Sequence, residues 1–261
     1  MSHQARKRFG QNFLVDDQII SRIVSTISPK KSDDIVEIGP GKGALTFPLL
    51  DHLDKLSVIE IDRDLISFLK LKKQDKLTIY EADALKFDYG LISNNLRIVG
   101  NLPYNISSAL LFRLLSNKNQ IIDMTFMLQK EVVDRIVASH GSKTYGRISV
   151  MMQAFFKVES MFTVPKESFD PQPKIESAIL YLKTRTKPLT ENIKLLEKIV
   201  KISFSQRRKT LKNCLKSILS QEQTKIDLSQ RAEMLSVENF ITLMKDYEKQ
   251  NWSKYRGNLP S

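Results

Sequence analysis

The stretch DIVEIGPGKGALT, residues 34–46, runs from an apolar segment into a turn with glycine at alternate positions, Gly39, Gly41 and Gly43. An apolar segment with Val and Ile is typical of a strand that is covered on both faces. Glycine lets the chain turn sharply and lets a ligand approach the backbone without a Cβ in the way. The residues after the turn have helical spacing, so the stretch predicts a strand, a turn and a helix of a parallel α/β sheet.

The same alternation of β-rich and helical segments continues to about residue 129. The predicted strands are residues 34–39, 56–61, 77–82, 96–101 and 124–129, and the predicted helices are residues 44–53, 63–73 and 107–117. Two later β-rich segments, residues 155–165 and 176–184, are expected to join one edge of the sheet. The pattern predicts an α/β fold whose Rossmann-like sheet is mostly parallel and has seven strands.

Beyond Thr184 the β-rich segments stop, and residues 195–204, 209–219 and 237–250 have the spacing of amphipathic helices. We therefore predict a first domain of residues 1–184 and a small helical domain of residues 185–261. Residues 184–261 contain 16 Lys and Arg against 8 Asp and Glu, in a chain of net charge +12. This excess favours a polyanionic partner, although a solvated lysine-rich surface is the alternative interpretation.

The composition also argues against several classes of protein. A single cysteine, Cys214, excludes an internal disulfide and fits a reducing compartment. The three histidines are scattered, without the spacing of a zinc site. No run approaches the roughly 20 apolar residues of a membrane span. We therefore expect a cytoplasmic protein without a metal or a membrane segment, and nothing in the sequence demands more than a monomer.

Two acids follow the glycine turn at the ends of the next predicted strands. Glu60 lies 21 residues after Gly39, where a carboxylate can accept hydrogen bonds from ribose hydroxyls, and Asp83 follows the third strand. Each acid is also suited simply to capping the helix after it. A dinucleotide fingerprint needs its third glycine one residue later than Gly43, which argues against a nicotinamide dehydrogenase. The spacing instead resembles the cofactor loop of class I S-adenosylmethionine-dependent methyltransferases.

The fourth predicted strand ends in Asn101, Leu102, Pro103 and Tyr104. An aromatic amine such as adenine N6 is a poor nucleophile, because its lone pair is delocalised into the ring. The Asn101 side-chain carbonyl and the Leu102 main-chain carbonyl are two acceptors for its N–H groups. Pro103 restricts the backbone, and Tyr104 offers a face for stacking a base. The alternative is an ordinary turn, because Asn-x-Pro is common turn chemistry.

The chain resembles the small-subunit ribosomal RNA adenine dimethyltransferase family. The segments that carry the resemblance are RKRFGQNFL, VEIGPGKGALT, GNLPYNISSALLFRLL, MLQKEVVDRIVA, YGRISVMMQ, FDPQPKIESAI and FSQRRKTLKN, spread from residue 6 to residue 213. The resemblance implies a class I methyltransferase fold with S-adenosyl-L-methionine as the cofactor. It implies N6,N6-dimethylation of two adjacent adenines near the 3′ end of small-subunit (16S) rRNA, within the assembling 30S particle.

The resemblance also assigns site residues. The implied cofactor contacts are Asn12, Leu14, Gly39, Glu60, Asp83 and Asn101, to which the glycine turn adds Gly41. The implied catalytic pocket consists of Asn101, Leu102, Pro103 and Tyr104, with Phe169 as a second aromatic wall; a core phenylalanine before a proline is the alternative for Phe169. The candidate rRNA contacts are Arg6, Lys7, Arg8, Arg207, Arg208, Lys209 and Lys212.

Two other functions stay open at this point. The related large-subunit rRNA methyltransferases share the chemistry, although NLPYN, PQPKIESA and QRRKTL resemble the small-subunit branch more closely. A non-catalytic assembly or transcription factor would keep the fold without needing the intact tetrad or glycine turn.

Overall fold

The computed structural model describes residues 12–72 and 74–256, without the side chains of residues 251–256. The strands are β1 (Phe13–Leu14), β2 (Asp34–Ile38), β3 (Leu56–Glu60), β4 (Leu77–Glu81), β5 (Leu96–Asn101), β6 (Ile121–Gln129), β7 (Phe156–Val164), β8 (Phe169–Asp170) and β9 (Ser177–Thr184). The helices are α1 (Asp17–Ile27), α2 (Thr46–Leu50), α3 (Arg63–Leu71), α4 (Ser107–Ser116), α5 (Lys130–Val137), α6 (Arg147–Phe155), α7 (Ile193–Ser203), α8 (Leu211–Leu215) and α9 (Val237–Arg256).

Seven strands form one sheet in the order β4-β3-β2-β5-β6-β9-β7. The five strands from β2 to β6 are parallel to their neighbours, and β9 is antiparallel to β6. The seven predicted strands are all present, and the two late ones join the β6 edge as expected. The carboxyl ends of β2, β3 and β5 meet at one edge, which is where an open α/β sheet binds its ligand.

A second, two-stranded sheet pairs β1 with β8 in antiparallel register, so that Phe13 lies opposite Asp170. Nearby, the Ser168 hydroxyl donates to Asp16 at 2.8 Å, and the Val15 N–H donates to the Ser168 carbonyl at 2.9 Å. Asp16 also caps α1, because its carboxylate accepts from two N–H groups of the first turn. These bonds join the described start of the chain to the segment before β9.

A half-buried arginine ties the opposite end of the sheet together. Arg97 on β5 forms ion pairs with Asp33 at 2.7 Å and Asp123 at 2.9 Å. Its guanidinium also donates to the Ile27 carbonyl at the end of α1 at 2.7 Å. An arginine with this many fixed acceptors serves to hold elements in place.

The described residues divide into two compact units. One contains the residues up to Val133 and residues 158–184, and the other contains residues 134–157 together with those after Thr184. The boundary after Thr184 coincides with the predicted one, whereas residues 134–157 were predicted in the first domain. Within the second unit, Tyr145 packs near Phe204, which stacks on Phe240 with ring centroids 5.6 Å apart.

The predicted helix over residues 209–219 is shorter than expected. Helix α8 spans only Leu211–Leu215, and the N–H groups of Ile218 and Leu219 both donate to the Leu215 carbonyl. The Ile218 bond spans three residues, as in a 3₁₀ turn, and the Leu219 bond spans four, as in a single α-turn. The predicted apolar face is nevertheless present, because Leu211, Leu215 and Leu219 are all buried.

Candidate active site

The glycine turn after β2 needs a backbone that other residues rarely adopt. Gly39, Gly41 and Gly43 have φ values of 67°, 57° and 87°, in the left-handed region where an L side chain is strained. The Gly39 N–H donates to the Ile59 carbonyl of β3 at 3.0 Å, which fixes the turn against the sheet. The predicted strand, turn and helix are therefore present, with the turn at the carboxyl edge of the sheet.

The Glu60 carboxylate, at the end of β3, is buried and already holds several backbone N–H groups. Its Oε1 accepts from Ile61 at 2.8 Å and Asp62 at 2.9 Å. Burial raises the pKa of the Glu60 carboxyl above its usual range, and the N–H groups of Asp62, Ile61 and Gly41 offset part of that rise. These bonds orient the carboxylate toward the cavity described below, where it is an acceptor for a hydroxyl-bearing ligand.

A second buried acid, Glu37, lies on β2 close to Glu60. The Thr46 hydroxyl donates to its Oε2 at 2.6 Å. Burial raises the pKa of the Glu37 carboxyl to about 7, the Thr46 bond lowers it, and the charge of Glu60 raises it further. Glu37 was not among the site residues predicted from the sequence. The feature of the sequence that could have indicated Glu37 is its position, two residues before Gly39 at the end of the first predicted strand.

The Asn101 side chain at the end of β5 is held in one orientation. Its Nδ2 donates to the main-chain carbonyl of Asn12 at 3.1 Å, so its Oδ1 is left as an acceptor. The next residue, Leu102, donates its N–H to the Met127 carbonyl of β6 at 3.1 Å. No N–H or hydroxyl of the described residues donates to the Leu102 carbonyl. Two acceptors therefore stand side by side at the strand end.

Tyr104 is half-buried and is anchored through its hydroxyl. Its oxygen lies 2.9 Å from the Ser177 Oγ at the start of β9. Burial raises the pKa of the Tyr104 hydroxyl, and the Ser177 hydrogen bond offsets part of that rise. The Ile106 N–H donates to the Pro103 carbonyl at 3.2 Å, which closes the turn that leads into α4.

These residues line one cavity of about 580 Å³, a size typical of sites for small ligands. The sequence-predicted residues that the cavity brings together are Asn12, Leu14, Gly39, Gly41, Glu60, Asn101, Leu102, Pro103 and Tyr104. The glycine turn, the β3 acid and the tetrad are thus parts of one site, as their order along the parallel strands predicts.

Two predicted site residues do not line this cavity. The Asp83 carboxylate accepts from the Leu85 N–H at 2.9 Å and shapes the turn after β4. Phe169 is 3 % exposed and belongs to the core, with Leu14 opposite it in the β1–β8 pair. Its alternative interpretation, a core phenylalanine before a proline, therefore describes its position. The role of Phe169 as the second aromatic wall stays a prediction.

Phe13 is an aromatic wall that the sequence did not reveal. It lines the cavity, and its ring would lie 3.3 Å from a Cβ added at Gly41. The ammonium of Lys42 lies 4.5 Å from the centre of the same ring. Phe13 reaches the glycine turn only through the long-range pairing of β1 with β8, so local sequence carries no signal for this contact.

The cavity fits S-adenosyl-L-methionine in size and charge. The described lining has four carboxylates, those of Asp17, Glu37, Glu60 and Asp170, against one lysine, Lys42. An acid-rich, partly buried site favours a cationic ligand such as a sulfonium. A side chain at Gly41 would come close to the Phe13 ring, and at both Gly39 and Gly41 the positive φ would strain any other residue.

The predicted rRNA contacts of the helical unit are on its surface. Arg207, Arg208, Lys209 and Lys212 are exposed, and the Arg207 guanidinium donates to the Lys143 carbonyl. Arg6, Lys7 and Arg8 lie outside the described residues. Over residues 12–72 and 74–256, no helix is both long and apolar enough to cross a membrane. The same residues contain no group of three His, Cys, Asp or Glu placed to hold a metal ion.

Known proteins resemble this chain over almost its whole length. The model of the family described as Ribosomal RNA adenine dimethylase matches residues 2–249. A protein of Methylobacillus flagellatus named Ribosomal RNA small subunit methyltransferase A is 51% identical over 253 residues, which cover 93% of this chain and 98% of the relative. Its namesake from Nitrosomonas eutropha is 48% identical over 254 residues, or 95% and 99% of the two chains.

Two solved structures share the fold. A dimethyladenosine transferase from Plasmodium falciparum has a TM-score of 0.80 at 27% identity, covering 92% of this chain and 98% of its own. The 23S rRNA methyltransferase ErmE has a TM-score of 0.73 at 25% identity, covering 91% and 100%. The predicted class I methyltransferase fold is confirmed. With a family model that matches nearly every residue and curated relatives about half identical, the chain belongs to the ribosomal RNA adenine dimethylase family.

Proposed function

We propose that this chain is an S-adenosyl-L-methionine-dependent methyltransferase that dimethylates N6 of two adjacent adenines near the 3′ end of small-subunit (16S) rRNA. The observation that carries this proposal is the pair of acceptors at the end of β5, the Asn101 Oδ1 and the Leu102 carbonyl, on the wall of the acid-rich cavity. Family membership supports the substrate, because the family is described by adenine dimethylation of ribosomal RNA. The curated relatives are named for the small subunit.

The chemistry follows from what these acceptors do to an aromatic amine. When Asn101 and Leu102 accept the two N–H groups of adenine N6, the nitrogen is drawn out of conjugation and its lone pair is freed. As N6 bonds to the methyl group, the bond from that carbon to the cofactor sulfur breaks and the sulfur becomes a neutral thioether. The cationic amine that results is acidic enough to lose its proton to water, so no strong base is needed. Tyr104 supports the base on one face.

The cofactor supplies a methyl group activated by a positively charged sulfur. Glu60 would hold its ribose hydroxyls, and the turn at Gly39 and Gly41 would lie against it. The carboxyl groups of Glu37 and Glu60 line the same cavity, where their negative charge when ionised would favour a positively charged sulfur. The acceptors of the tetrad lie on the wall of the same cavity, so the amine and the methyl donor meet there.

The proposal also covers the rRNA contacts of the chain, its compartment and its oligomeric state. The exposed Arg208, Lys209 and Lys212 are proposed to contact rRNA phosphates, with Arg6, Lys7 and Arg8 as further contacts. Phosphate contacts of this kind position an RNA without reading its sequence. We place the reaction in the cytoplasm, on the assembling 30S particle, with the chain acting as a monomer.

A second candidate is methylation of large-subunit rRNA, which the similarity to a 23S rRNA methyltransferase brings into consideration. The two candidates differ in the particle that accepts methyl groups. Small subunits from cells that lack the gene and large-subunit rRNA are each incubated with the protein and labelled cofactor. Label in small-subunit rRNA alone is the expected result, and label in large-subunit rRNA alone would overturn the proposal.

A non-catalytic role in assembly is the third candidate. Asn101→Ala keeps the exposed basic residues and removes one of the two acceptors. Small subunits that mature normally with this variant, without adenine methylation, would favour that role.

A further inference from the structure

Ser177 is a buried hydroxyl at the start of an apolar strand. The residue is 0% exposed, and the next residues of β9, Ala178, Ile179 and Leu180, are buried and apolar. A hydroxyl in such a place costs free energy unless it is hydrogen-bonded. Over the described part of the chain, the side-chain oxygen of Ser177 has one hydrogen-bond partner, the Tyr104 hydroxyl at 2.9 Å.

The backbone around Ser177 is a rigid anchor. Ser177 lies opposite Gln129 at the end of β6, and the carbonyl of Glu176 accepts from the Lys130 N–H at 3.0 Å. The anchor is therefore fixed by the same strand pair, β6 and β9, that forms one side of the main sheet. A hydrogen bond to the Ser177 hydroxyl therefore restricts the side chain of its partner, Tyr104.

The main chain of Tyr104 is also fixed, which leaves the ring as its mobile part. Pro103 restricts the preceding backbone, and the Ser107 hydroxyl donates to the Tyr104 carbonyl at 3.2 Å. What remains free is rotation of the side chain about its χ angles. The bond from the phenol oxygen to Ser177 fixes where the far end of the ring lies and so restricts χ1, whereas rotation about χ2 leaves this oxygen in place.

We propose that Ser177 is a positioning residue for methyl transfer, which holds the Tyr104 side chain at the position where the target adenine stacks on its ring. This inference rests on the proposed function. The position of the ring decides where N6 lies relative to the Asn101 and Leu102 acceptors, and misplacement of a reacting group by about 1 Å can slow a reaction about 100-fold. Ser177 itself touches neither adenine nor cofactor.

The test is a double-mutant cycle of Ser177→Ala and Tyr104→Phe, each of which removes one end of the bond. Each single variant is expected to lower kcat on small subunits by about three- to tenfold, the effect of one hydrogen bond. The cofactor Kd is expected to stay unchanged. The double variant is expected to be no slower than the slower single variant, because both remove the same interaction.

Ser203→Ala is the matched control. Ser203 is a buried serine whose hydroxyl donates to the Ile199 carbonyl within α7 at 2.8 Å. Its loss is expected to lower thermal stability without lowering kcat. A merely structural role for Ser177 predicts the same behaviour for Ser177→Ala.

The inference is overturned if Ser177→Ala keeps the wild-type kcat, or if the two effects multiply in the double variant. If Ser177→Ala does not fold, Tyr104→Phe carries the test, and an unchanged kcat in that variant overturns the inference. Failure of the wild-type protein to methylate small subunits would instead overturn the proposed function, and the inference with it.

Discussion

The side-chain amide of Asn101 donates to the main-chain carbonyl of Asn12 at 3.1 Å, across 89 positions of the chain. This bond joins the end of β5 to the segment that leads into β1, and both ends line the same cavity. It also decides which atom of the amide remains available, because a carbonyl partner accepts only from the nitrogen. The acceptor that the proposed reaction needs is therefore prepared by a residue far away in sequence.

Replacing Asn101 by Ala is expected to lower kcat by about 100-fold or more, the usual loss for one group that acts in a transition state. The cofactor Kd should change far less, because the glycine turn and Glu60 are kept. The measurement is labelled methyl transfer to small subunits, beside cofactor binding by calorimetry. Asn95→Ala, on the exposed loop before β5, is the control. A kcat within a few fold of wild type would show that Asn101 does not grip the amine.

Local sequence predicts most of the sheet because the parallel strands are buried on both faces. A strand such as β5 is therefore an apolar run that ends where its ligand-binding residues begin. Gly39, Glu60 and Asn101 could be assigned to one site from the sequence because they lie at the carboxyl ends of neighbouring parallel strands.

Contacts between distant segments are what local sequence leaves out. Phe13 and Phe169 lie in the two short strands β1 and β8, whose pairing spans more than 150 residues. Phe13 lines the cavity and Phe169 is buried, and the sequence motifs gave no indication that Phe13 belongs to the site. Residues 134–157 likewise group with the C-terminal helices, where Tyr145 packs near Phe204.

Gly100 is expected to tolerate no side chain. A Cβ there would lie 2.5 Å from the Ile38 carbonyl oxygen, so β2 and β5 must move apart next to Asn101. Gly100→Ala should lower the free energy of unfolding by about 1–3 kcal/mol, as overpacking does, and should also lower kcat. Gly146→Ala is the control, because its backbone is extended and no described atom lies within 4 Å of the added Cβ. Equal stability of the two variants in urea would contradict the packing described for Gly100.

Glu37 is expected to make the stability depend on pH in the direction opposite to that of a salt-bridged acid. Its pKa is about 7 in the folded chain and near the ordinary value of about 4.3 in the unfolded chain. Between these values only the folded state keeps the proton, so stability falls as the pH rises and levels off above pH 7. The whole loss amounts to about 4 kcal/mol.

The comparison for Glu37 is the unfolding free energy in urea at pH 5 and pH 8, for wild type and Glu37→Gln. Gln keeps an acceptor for the Thr46 hydroxyl and cannot ionise. The variant should lose about 3 kcal/mol less than wild type over this range. Identical losses in the two proteins would mean that Glu37 titrates normally.

The basic surface of the helical unit is expected to make rRNA binding strongly salt-dependent. Removing a cation that touches a phosphate should reduce the slope of log K against log salt by about one unit. Arg208→Ala is therefore expected to flatten the slope by that amount, whereas Lys72→Ala, at the exposed end of α3, should not. Affinity for small-subunit rRNA is measured over a range of KCl concentrations. A slope unchanged by Arg208→Ala would place the RNA elsewhere on the surface.

The most direct test of the central claim is mass spectrometry of the 3′ region of small-subunit rRNA. Three cell lines are compared: one with the gene, one without it, and one with the gene carrying Asn101→Ala. We expect two adjacent N6,N6-dimethyladenosines in the first line and unmodified adenines in the other two. Dimethyladenosines at both positions in cells that lack the gene would contradict it.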